Sequence, residues 1–214
     1  MNIHKVYNSL NIYFRRKRMK RFVNELNVGE TDLILDVGGD PYNWNIIKIK
    51  NKNRITLLNL RISKDVKDKN NFIFVIGDGR KLNYKDNSFD IVFSNSVIEH
   101  LCSYDNQKKF AKEVRRVGKK LWIQTPNKYF FIEPHVLGIF IHWFSKKTQK
   151  KLIRYFTLWG LITRPSKKII GDLLDEVRLL SYKEFKDLFP DCKIYKEKFM
   201  GFSKSFIAIR NKFI

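Results

Sequence analysis

The segment GDGRKLNYKDNSFDIVFSNSVIEHL, residues 77–101, holds the ends of two predicted β-strands. One apolar run, FIFVI at 72–76, leads into it, and another, DIVFS at 90–94, lies inside it. Both runs have the length of buried strands and both are followed by polar residues. Ligands of open α/β sheets bind at the carboxyl ends of parallel strands, so this segment is predicted to line a binding crevice.

Three further apolar runs have the same character. They are LILDV at 33–37, RITLLNL at 54–60 and KLWIQT at 120–125. Helical periodicity predicts a helix over 105–117, between the fourth and fifth strands, and another over 8–27 before the first strand. Strands that alternate with helical or loop crossovers indicate an α/β fold with a doubly wound, mostly parallel, Rossmann-like sheet.

The pattern changes after Pro126. Residues 136–160 predict two aromatic-rich helical stretches that separate near Ser145 and end at Gly160. Residues 161–178 contain proline and glycine and are predicted to be irregular.

The last part of the sequence predicts one helix and two strands. Ser181 and Glu184 form a capping-box pattern at the start of a helix over 181–188. The strands, at 192–199 and 205–210, are joined by a short turn and predict an antiparallel C-terminal hairpin that completes a seven-stranded sheet.

Composition limits the possible classes of protein. The 214 residues are 43% hydrophobic, which allows a large core. Cys102 and Cys192 are far apart and have no CxxC partner, which argues against a disulfide scaffold and favours a reducing cytosol. The N-terminus lacks the apolar core of a signal peptide, and the most apolar stretch, 136–144, is much shorter than the roughly 20 residues of a membrane span.

The net charge of +22 has two interpretations. A strong positive field suits nucleic acid, anionic lipid or an acidic substrate. The alternative is a nucleotide bias of the genome, because most lysines are scattered through a Lys-, Asn- and Ile-rich chain. The densest basic cluster, residues 15–21, is predicted to be a solvated face of the first helix.

The loop after the first strand contains Gly38 and Gly39, where the absence of Cβ lets the backbone approach a ligand closely. Asp40 follows them, so the loop does not match the GxGxxG pattern of dinucleotide sites. An acidic side chain there would repel a diphosphate and would tolerate a positively charged ligand, such as a sulfonium that also carries an ammonium group.

The loops after the next two strands add polar groups. Asn59 ends the second strand, where a ribose-binding acid is expected, and its amide can still bond a ribose hydroxyl. Asp78 follows the third strand and could accept a hydrogen bond from the exocyclic amine of adenine. The alternatives are a tight structural turn for the glycines and a solvated or capping role for Asp78.

Together these loops resemble those of the class I S-adenosylmethionine-dependent methyltransferases, in particular the type 11 group. The resemblance covers about residues 30–125 and rests on LILDVGG, GDGRKL and DNSFDIVFSNSVIEHL. It implies S-adenosylmethionine (SAM) as cofactor. The resemblance implies that Asp36, Gly38 and Gly39 lie against the methionine part of SAM and that Asn59, at a position usually Asp or Glu in the family, contacts the ribose. It also implies that Asp78 and Gly79 contact adenine. The segment near the methyl group is Ser94, Asn95, Ser96 and Val97.

The C-terminal half is similar to methyltransferases found with bacterial surface-polysaccharide biosynthesis, through TPNKYFFIEPH at 125–135 and the segments that follow it. The resulting organisation is a single methyltransferase domain over 1–214. Its predicted parts are an N-terminal helix at 1–29, a cofactor-binding core at 30–126, a helical acceptor-side lid insertion at 127–180, and a terminal helix and hairpin at 181–214.

The candidate catalytic residues are His100, Glu133 and His135. A general base is needed where the methyl acceptor holds its proton tightly, and imidazole and carboxylate groups can serve. Pro134 fixes the spacing of Glu133 and His135 in a loop after the fifth strand. The alternatives are that His100 only packs and that Glu133 pairs with a lysine.

A metal site is not predicted. Some related O-methyltransferases bind magnesium through an ExxEH motif, and this chain has Glu99 and His100. Ser96 stands at the first position of the motif, so one carboxylate ligand is missing, and two ligands rarely hold a hard cation.

The predicted function is SAM-dependent methyl transfer to a hydroxyl or related group of a small-molecule or glycan acceptor in the cytoplasm. One alternative is an RNA ribose methyltransferase, which the basic charge favours. Another is a SAM-binding protein without turnover. The aromatic and basic segment 136–160 is predicted to cover the acceptor, with peripheral contact at the inner membrane surface as the alternative. The oligomeric state is not predicted.

Overall fold

The computed structural model describes residues 3–47, 49–50, 52–62 and 71–211, with side chains from residue 12 onward. The chain forms two compact units. The first unit comprises Met1–Asn95, Lys112–Ile123 and Ile209–Ile214, and the second comprises Ser96–Ala111 and Gln124–Ala208. The single domain and its four parts stay a prediction.

Nine strands occur in the described part of the chain. They are β1 (Ile34–Val37), β2 (Ile55–Asn59), β3 (Ile73–Ile76), β4 (Phe89–Asn95), β5 (Gly118–Pro126), β6 (Ile132–Glu133), β7 (Gly138–Ile139), β8 (Lys193–Phe199) and β9 (Phe202–Arg210). Seven of them form one mostly parallel sheet in the order β3-β2-β1-β4-β5-β9-β8, and β6 and β7 form a separate antiparallel pair. The predicted Rossmann-like sheet and its C-terminal hairpin are confirmed.

The register of the first unit brings the ends of its strands together. Strand β1 lies parallel between β2 and β4, with Val37 opposite Leu58 and Asp36 opposite Phe93. The carboxyl ends of β1, β2 and β4 therefore meet at one edge of the sheet. Strand β3 was predicted to be buried, but it is an edge strand on which Ile73 and Ile76 are exposed.

Seven α-helices are described. They are α1 (Ile3–Leu26), α2 (Pro41–Ile46), α3 (Tyr104–Val117), α4 (Lys146–Phe156), α5 (Leu158–Thr163), α6 (Lys167–Glu176) and α7 (Tyr182–Leu188). The predicted helices at 105–117 and 181–188 are confirmed, and Ser181 and Glu184 form the complete capping box at the start of α7. The segment Ile98–His100, which follows β4, is a single 3₁₀ turn.

An aromatic cluster forms the core of the first unit. Phe22 of α1 lies edge-on to Trp44, Phe93 and Trp122 at ring distances of 5.8, 5.0 and 5.6 Å. All four side chains are fully buried. Edge-to-face pairs of buried rings add to the hydrophobic stabilisation and fix the ring orientations, so α2 is held firmly against β1 and β4.

The predictions for 136–178 were partly wrong. Residues 136–144 contain β7 and a 3₁₀ turn and not the first predicted helix. The second predicted helix is interrupted at Thr157, which caps α5, and it continues past Gly160. The segment expected to be irregular contains α6, which Ser166 caps, and Ile170 of α6 packs on Ile153 of α4.

Candidate functional site

The loop after β1 is built around Asp36. Its side chain is fully buried, and the indole of Trp44 donates to Oδ2 at 2.8 Å. Among the described residues no donor reaches Oδ1. Burial raises the pKa of Asp36 to about 8, against the lowering effect of the Trp44 hydrogen bond and with a further rise from the charge of Asp40. A buried carboxyl with an unsatisfied oxygen suits a ligand with a positively charged group.

The two glycines of this loop are needed for its shape. Gly38 has a φ of 76°, which is in the left-handed region that favours glycine. A Cβ on Gly39 would lie 1.8 Å from Oδ2 of Asp36, so no side chain fits there. The backbone at these two positions therefore carries no side chain, which allows a ligand to approach it closely.

Asn59, at the end of β2, is joined to the glycine loop. Its Nδ2 donates to the carbonyl of Gly39 at 2.8 Å. The side-chain oxygen Oδ1 is thus the atom that could accept from a ribose hydroxyl. The ribose contact stays a prediction.

Asp78 is an ion-pair partner within its own loop. Nε of Arg80 donates to both carboxylate oxygens at 3.0 Å and Nη2 donates to Oδ2 at 2.6 Å, and these hydrogen bonds lower the pKa of Asp78. A carboxylate can accept several hydrogen bonds, so this pairing fixes its direction. The adenine contacts of Asp78 and Gly79 stay predictions.

The end of β4 is held by contacts that differ from the expected ones. Ser94 is buried and donates to the carbonyl of Val37 at 2.9 Å, and Asn95 accepts from Arg18 at 2.5 Å. Arg18 was predicted to lie on a solvated face, but it is buried. Ser96 belongs to the second unit, has a φ of 57° and donates to the side chain of Gln124 at 2.8 Å.

We expect Asp36→Asn to change how the stability of the cofactor-free protein depends on pH. The folded-state pKa of about 8 lies above the unfolded value of 3.8, so the Asp36 contribution is fully present below about pH 4 and is lost as pH rises through about 8. The upper bound for this loss is about 6 kcal/mol. Asparagine does not titrate, so in urea titrations the free energy of unfolding of the variant should rise relative to that of wild type between about pH 4 and pH 8. An identical pH dependence for both proteins would contradict the buried carboxyl.

The second unit brings the three predicted catalytic residues together. Nδ1 of His135 bonds Oε1 of Glu133 at 2.5 Å, and Nδ1 of His100 bonds Oε1 of Glu176 at 2.9 Å. The two Nε2 atoms face each other at 3.3 Å, with the rings edge-on. This arrangement is a chain of carboxylate, imidazole, imidazole and carboxylate.

The pKa of His135 reflects this surrounding charge. Burial opposes its protonation, but the hydrogen bond and charge of Glu133, together with the charges of Glu99 and Glu176, raise the pKa above its usual value. Glu133 is itself buried, and its Oε2 accepts from the backbone of Val136 at 2.9 Å. The interpretation of Glu133 as a partner of a lysine is therefore replaced by a pairing with His135.

Glu99 is the fourth ionisable group beside the histidines. It is fully buried, and Thr125 donates to its Oε2 at 3.0 Å. Burial raises the pKa of Glu99, while the backbone NH of Glu99 itself, the charges of the two neighbouring histidines and the hydrogen bond of Thr125 oppose that rise. One carboxylate oxygen of Glu99 and one ring nitrogen of each histidine all lie within 4.8 Å of one another.

The backbone around this cluster is braced by Gln107 of α3. Its buried amide donates to the carbonyls of Ile98 and Arg178, both at 2.9 Å. The backbone NH of Arg178 donates in turn to the carbonyl of Glu99 at 2.7 Å, and that of Cys102 donates to Glu176 at 3.2 Å. These contacts hold the 3₁₀ turn at Ile98–His100 against the end of α6.

Glu133 and His135 line a cavity of about 440 Å³ within the second unit. The residues that line it include the aromatic Trp143 and Phe144 and the basic Lys128, Lys146 and Arg178. This volume is in the range of small-molecule sites, about 300–1,000 Å³. The cavity combines apolar surface with an ionisable pair, as such sites commonly do.

Comparison with known proteins identifies the fold. Residues 51–121 match a family model described as a methyltransferase domain. A solved SAM-dependent methyltransferase from Clostridium acetobutylicum ATCC 824 is 12% identical, with a TM-score of 0.54, 91% of this chain covered and 89% of that chain covered. The fold is that of SAM-dependent methyltransferases.

Two other solved structures share the methyltransferase fold. A candidate O-methyltransferase from Nostoc punctiforme PCC 73102 is 11% identical, with a TM-score of 0.53, 92% of this chain covered and 55% of that one. The candidate methyltransferase of Haloferax volcanii, solved with the Trm112 methyltransferase activator, is 12% identical, with a TM-score of 0.52, 94% of this chain covered and 92% of that one. No match to a curated protein was found.

SAM is the cofactor that the methyltransferase-domain match and the methyltransferase fold imply. The first unit fits it, because the unsatisfied Oδ1 of Asp36 suits a cationic group and Gly39 leaves the loop backbone bare. None of the described helices combines the length and the apolar character needed to cross a membrane.

Three residues of the candidate site were missed by sequence reasoning. Trp44 could have been found, because Asp40 and Pro41 form a standard helix start that places it on α2. Arg18 and Glu176 carry no such signal. Each lies more than 70 residues from the site residue that it binds, Asn95 and His100 respectively.

Proposed function

We propose that this protein is an O-methyltransferase that transfers the methyl group of SAM to a hydroxyl of a small-molecule or glycan acceptor. The observation that carries the proposal is the pairing of His135 with Glu133 at the wall of a cavity sized for a small molecule. In a chain with a methyltransferase fold, such a pair marks where an acceptor hydroxyl can be bound and its proton removed.

The chemistry requires two contributions. SAM, when bound, supplies an electrophilic methyl group on a sulfonium centre. The chain must position an oxygen nucleophile and accept its proton, because an alcohol holds that proton tightly at neutral pH. His135 and His100 supply imidazole nitrogens for this purpose, and Glu133 and Glu176 fix the orientation of the two rings.

The side chains that line the cavity support the proposed class of acceptor. Trp143 and Phe144 are half exposed and offer flat apolar faces, on which sugar or aromatic rings commonly pack. Lys128, which also lines the cavity, adds positive charge for an anionic substituent. A surface-polysaccharide glycan, the acceptor suggested by the similarity of residues 125–135, is within this proposal.

The test is a pair of measurements on the purified protein. We expect SAM to bind with a Kd below about 1 mM by calorimetry, and its labelled methyl group to appear on oxygen in a panel of hydroxylated small molecules, sugars and nucleotide-linked sugars. No detectable SAM binding would overturn the proposal. Transfer to RNA in place of the small acceptors would favour the RNA ribose alternative, and SAM binding without transfer to any acceptor would favour the binding protein.

A further inference from the structure

We infer that Glu99, His100 and His135 form a binding site for one divalent transition-metal ion of the Zn²⁺ class. The three residues offer two imidazole nitrogens and one carboxylate oxygen, all within 4.8 Å of one another. A role of the metal in binding the acceptor oxygen rests on the proposed function, whereas the metal site itself does not.

The facing nitrogens are the first argument. Nδ1 of each histidine lies at hydrogen-bond distance from a carboxylate, so in the neutral rings each Nδ1 carries the proton and each Nε2 carries a lone pair. Two lone pairs that face each other at 3.3 Å repel unless a proton or a metal cation lies between them. Two nitrogens bound to one tetrahedral zinc at its usual bond length are also about 3.3 Å apart.

The outer partners are the second argument. Metal-binding histidines almost always donate their other ring NH to a carboxylate or carbonyl, which fixes the tautomer and the direction of the ring. Here Glu133 takes this place for His135 at 2.5 Å, and Glu176 takes it for His100 at 2.9 Å. Both rings are thus oriented in the way that metal ligands are.

Glu99 is the third argument and is independent of the histidine pair. Its side chain is fully buried, and among the described residues no donor reaches Oε1. A buried carboxylate oxygen without a partner is costly, so such an atom calls for a ligand. Coordination of a cation would satisfy it and would also favour the ionised form of Glu99.

The donor set selects the kind of metal. Imidazole nitrogens suit Zn²⁺, Ni²⁺, Co²⁺ and Fe²⁺, whereas Mg²⁺ and Ca²⁺ prefer sites made of oxygen ligands. Three protein ligands leave an open position, as in catalytic zinc sites. His135 lines the cavity, so an acceptor hydroxyl bound there can take that position. In the metal-bound protein both Nε2 atoms are ligands, and the cation, in place of a free imidazole base, lowers the pKa of that hydroxyl.

The site also explains why the sequence motif was misleading. The carboxylate that an ExxEH magnesium motif would supply is replaced by Ser96, which is bonded to Gln124. The third ligand comes instead from His135, 35 residues further along the chain from His100. The exchange of a carboxylate for an imidazole changes the preferred ion from a hard cation to a transition metal.

The test is a titration of the full-length, metal-stripped protein with Zn²⁺ by calorimetry and with Co²⁺ by visible absorption. We expect about one equivalent of Zn²⁺ with a Kd below about 1 µM, and the intense bands of four- or five-coordinate Co²⁺. His100→Ala and Glu99→Gln should each weaken Zn²⁺ binding by at least about tenfold, and Glu176→Gln should weaken it by about tenfold through the loss of the outer partner.

The matched control is His142→Ala, which removes a histidine of the same unit that is outside the three-residue cluster. We expect its Zn²⁺ affinity to equal that of wild type. SAM affinity, measured on every variant, shows that each one is folded. Absence of saturable Zn²⁺ binding, or equal binding by wild type, His100→Ala and Glu99→Gln, would overturn the inference.

The metal site and the proposed function can fail separately. Methyl transfer by a protein that does not bind Zn²⁺ would overturn the metal site and leave the proposed function standing. One equivalent of Zn²⁺ without transfer to any acceptor would support the site and remove the proposed function. Transfer that is unchanged after chelation would overturn the role of the metal in acceptor binding, whereas its loss on chelation and recovery with Zn²⁺ would support that role.

Discussion

His135→Ala is expected to lower kcat for methyl transfer by about 100- to 10,000-fold, the range seen when a group that handles the proton of a nucleophile is removed. The imidazole is held between Glu133 and His100 and lines the cavity. Alanine removes the ring that faces the acceptor and leaves Oε1 of Glu133 without its partner. The measurement is the initial rate of methyl transfer at saturating SAM and acceptor.

The affinity for SAM is the control in this experiment. His135 is not among the residues predicted to contact SAM, so the Kd for SAM should stay at its wild-type value. Glu133→Gln keeps a side chain of the same shape and should lower kcat by a smaller factor, about 10- to 100-fold. Wild-type kcat in His135→Ala would exclude this histidine from the acceptor site.

The parallel strands could be predicted from the sequence because each is a short local feature. LILDV and DIVFS are apolar runs that end in polar residues, and the structure places β1 and β4 there as neighbours. The capping box of Ser181 and Glu184 is equally local, since both partners lie within one helical turn. Such local patterns involve only a few adjacent residues, so the structures that they predict depend little on contacts with distant parts of the chain.

The segment 136–144 shows where such reasoning fails. Its apolar residues fit a helix or a hairpin, and the choice depends on β6, which pairs Ile132 with Ile139. Leu137 and Phe140 have positive φ angles of 51° and 56°, which a helix does not allow and which no local signal in the sequence reveals. Pairing with another part of the chain decided the conformation here.

The candidate site was predictable in its residues but not in its connections. His100 was identified from its place after β4, and Glu133 and His135 were identified as a pair from their place after β5. Their contacts with one another and with Glu176 bridge 35 and 76 residues of sequence. A metal was not expected for this reason, because His135 and Glu99 become neighbours only in the folded second unit.

Gly39→Ala is expected to destabilise the protein by about 3 kcal/mol and to weaken SAM binding by at least about tenfold. The new Cβ would lie 1.8 Å from Oδ2 and 1.9 Å from Cγ of Asp36. Asp36 cannot move aside freely, because it is fully buried and bonded to Trp44. The loop must therefore shift, and the carbonyl of Gly39 would leave the amide of Asn59. Urea denaturation and calorimetry with SAM measure the two effects.

A matched glycine and a double variant make this prediction specific. A Cβ on Gly29 would meet only Oδ2 of Asp32, at an ordinary 3.9 Å, so Gly29→Ala should leave stability and SAM affinity close to wild type. The clash requires the carboxyl of Asp36, so Asp36→Ala combined with Gly39→Ala should be more stable than the sum of the single effects allows. This non-additivity can be measured even when Gly39→Ala alone is too unstable for calorimetry. Strict additivity would show that Gly39 is needed for a reason other than its contact with Asp36.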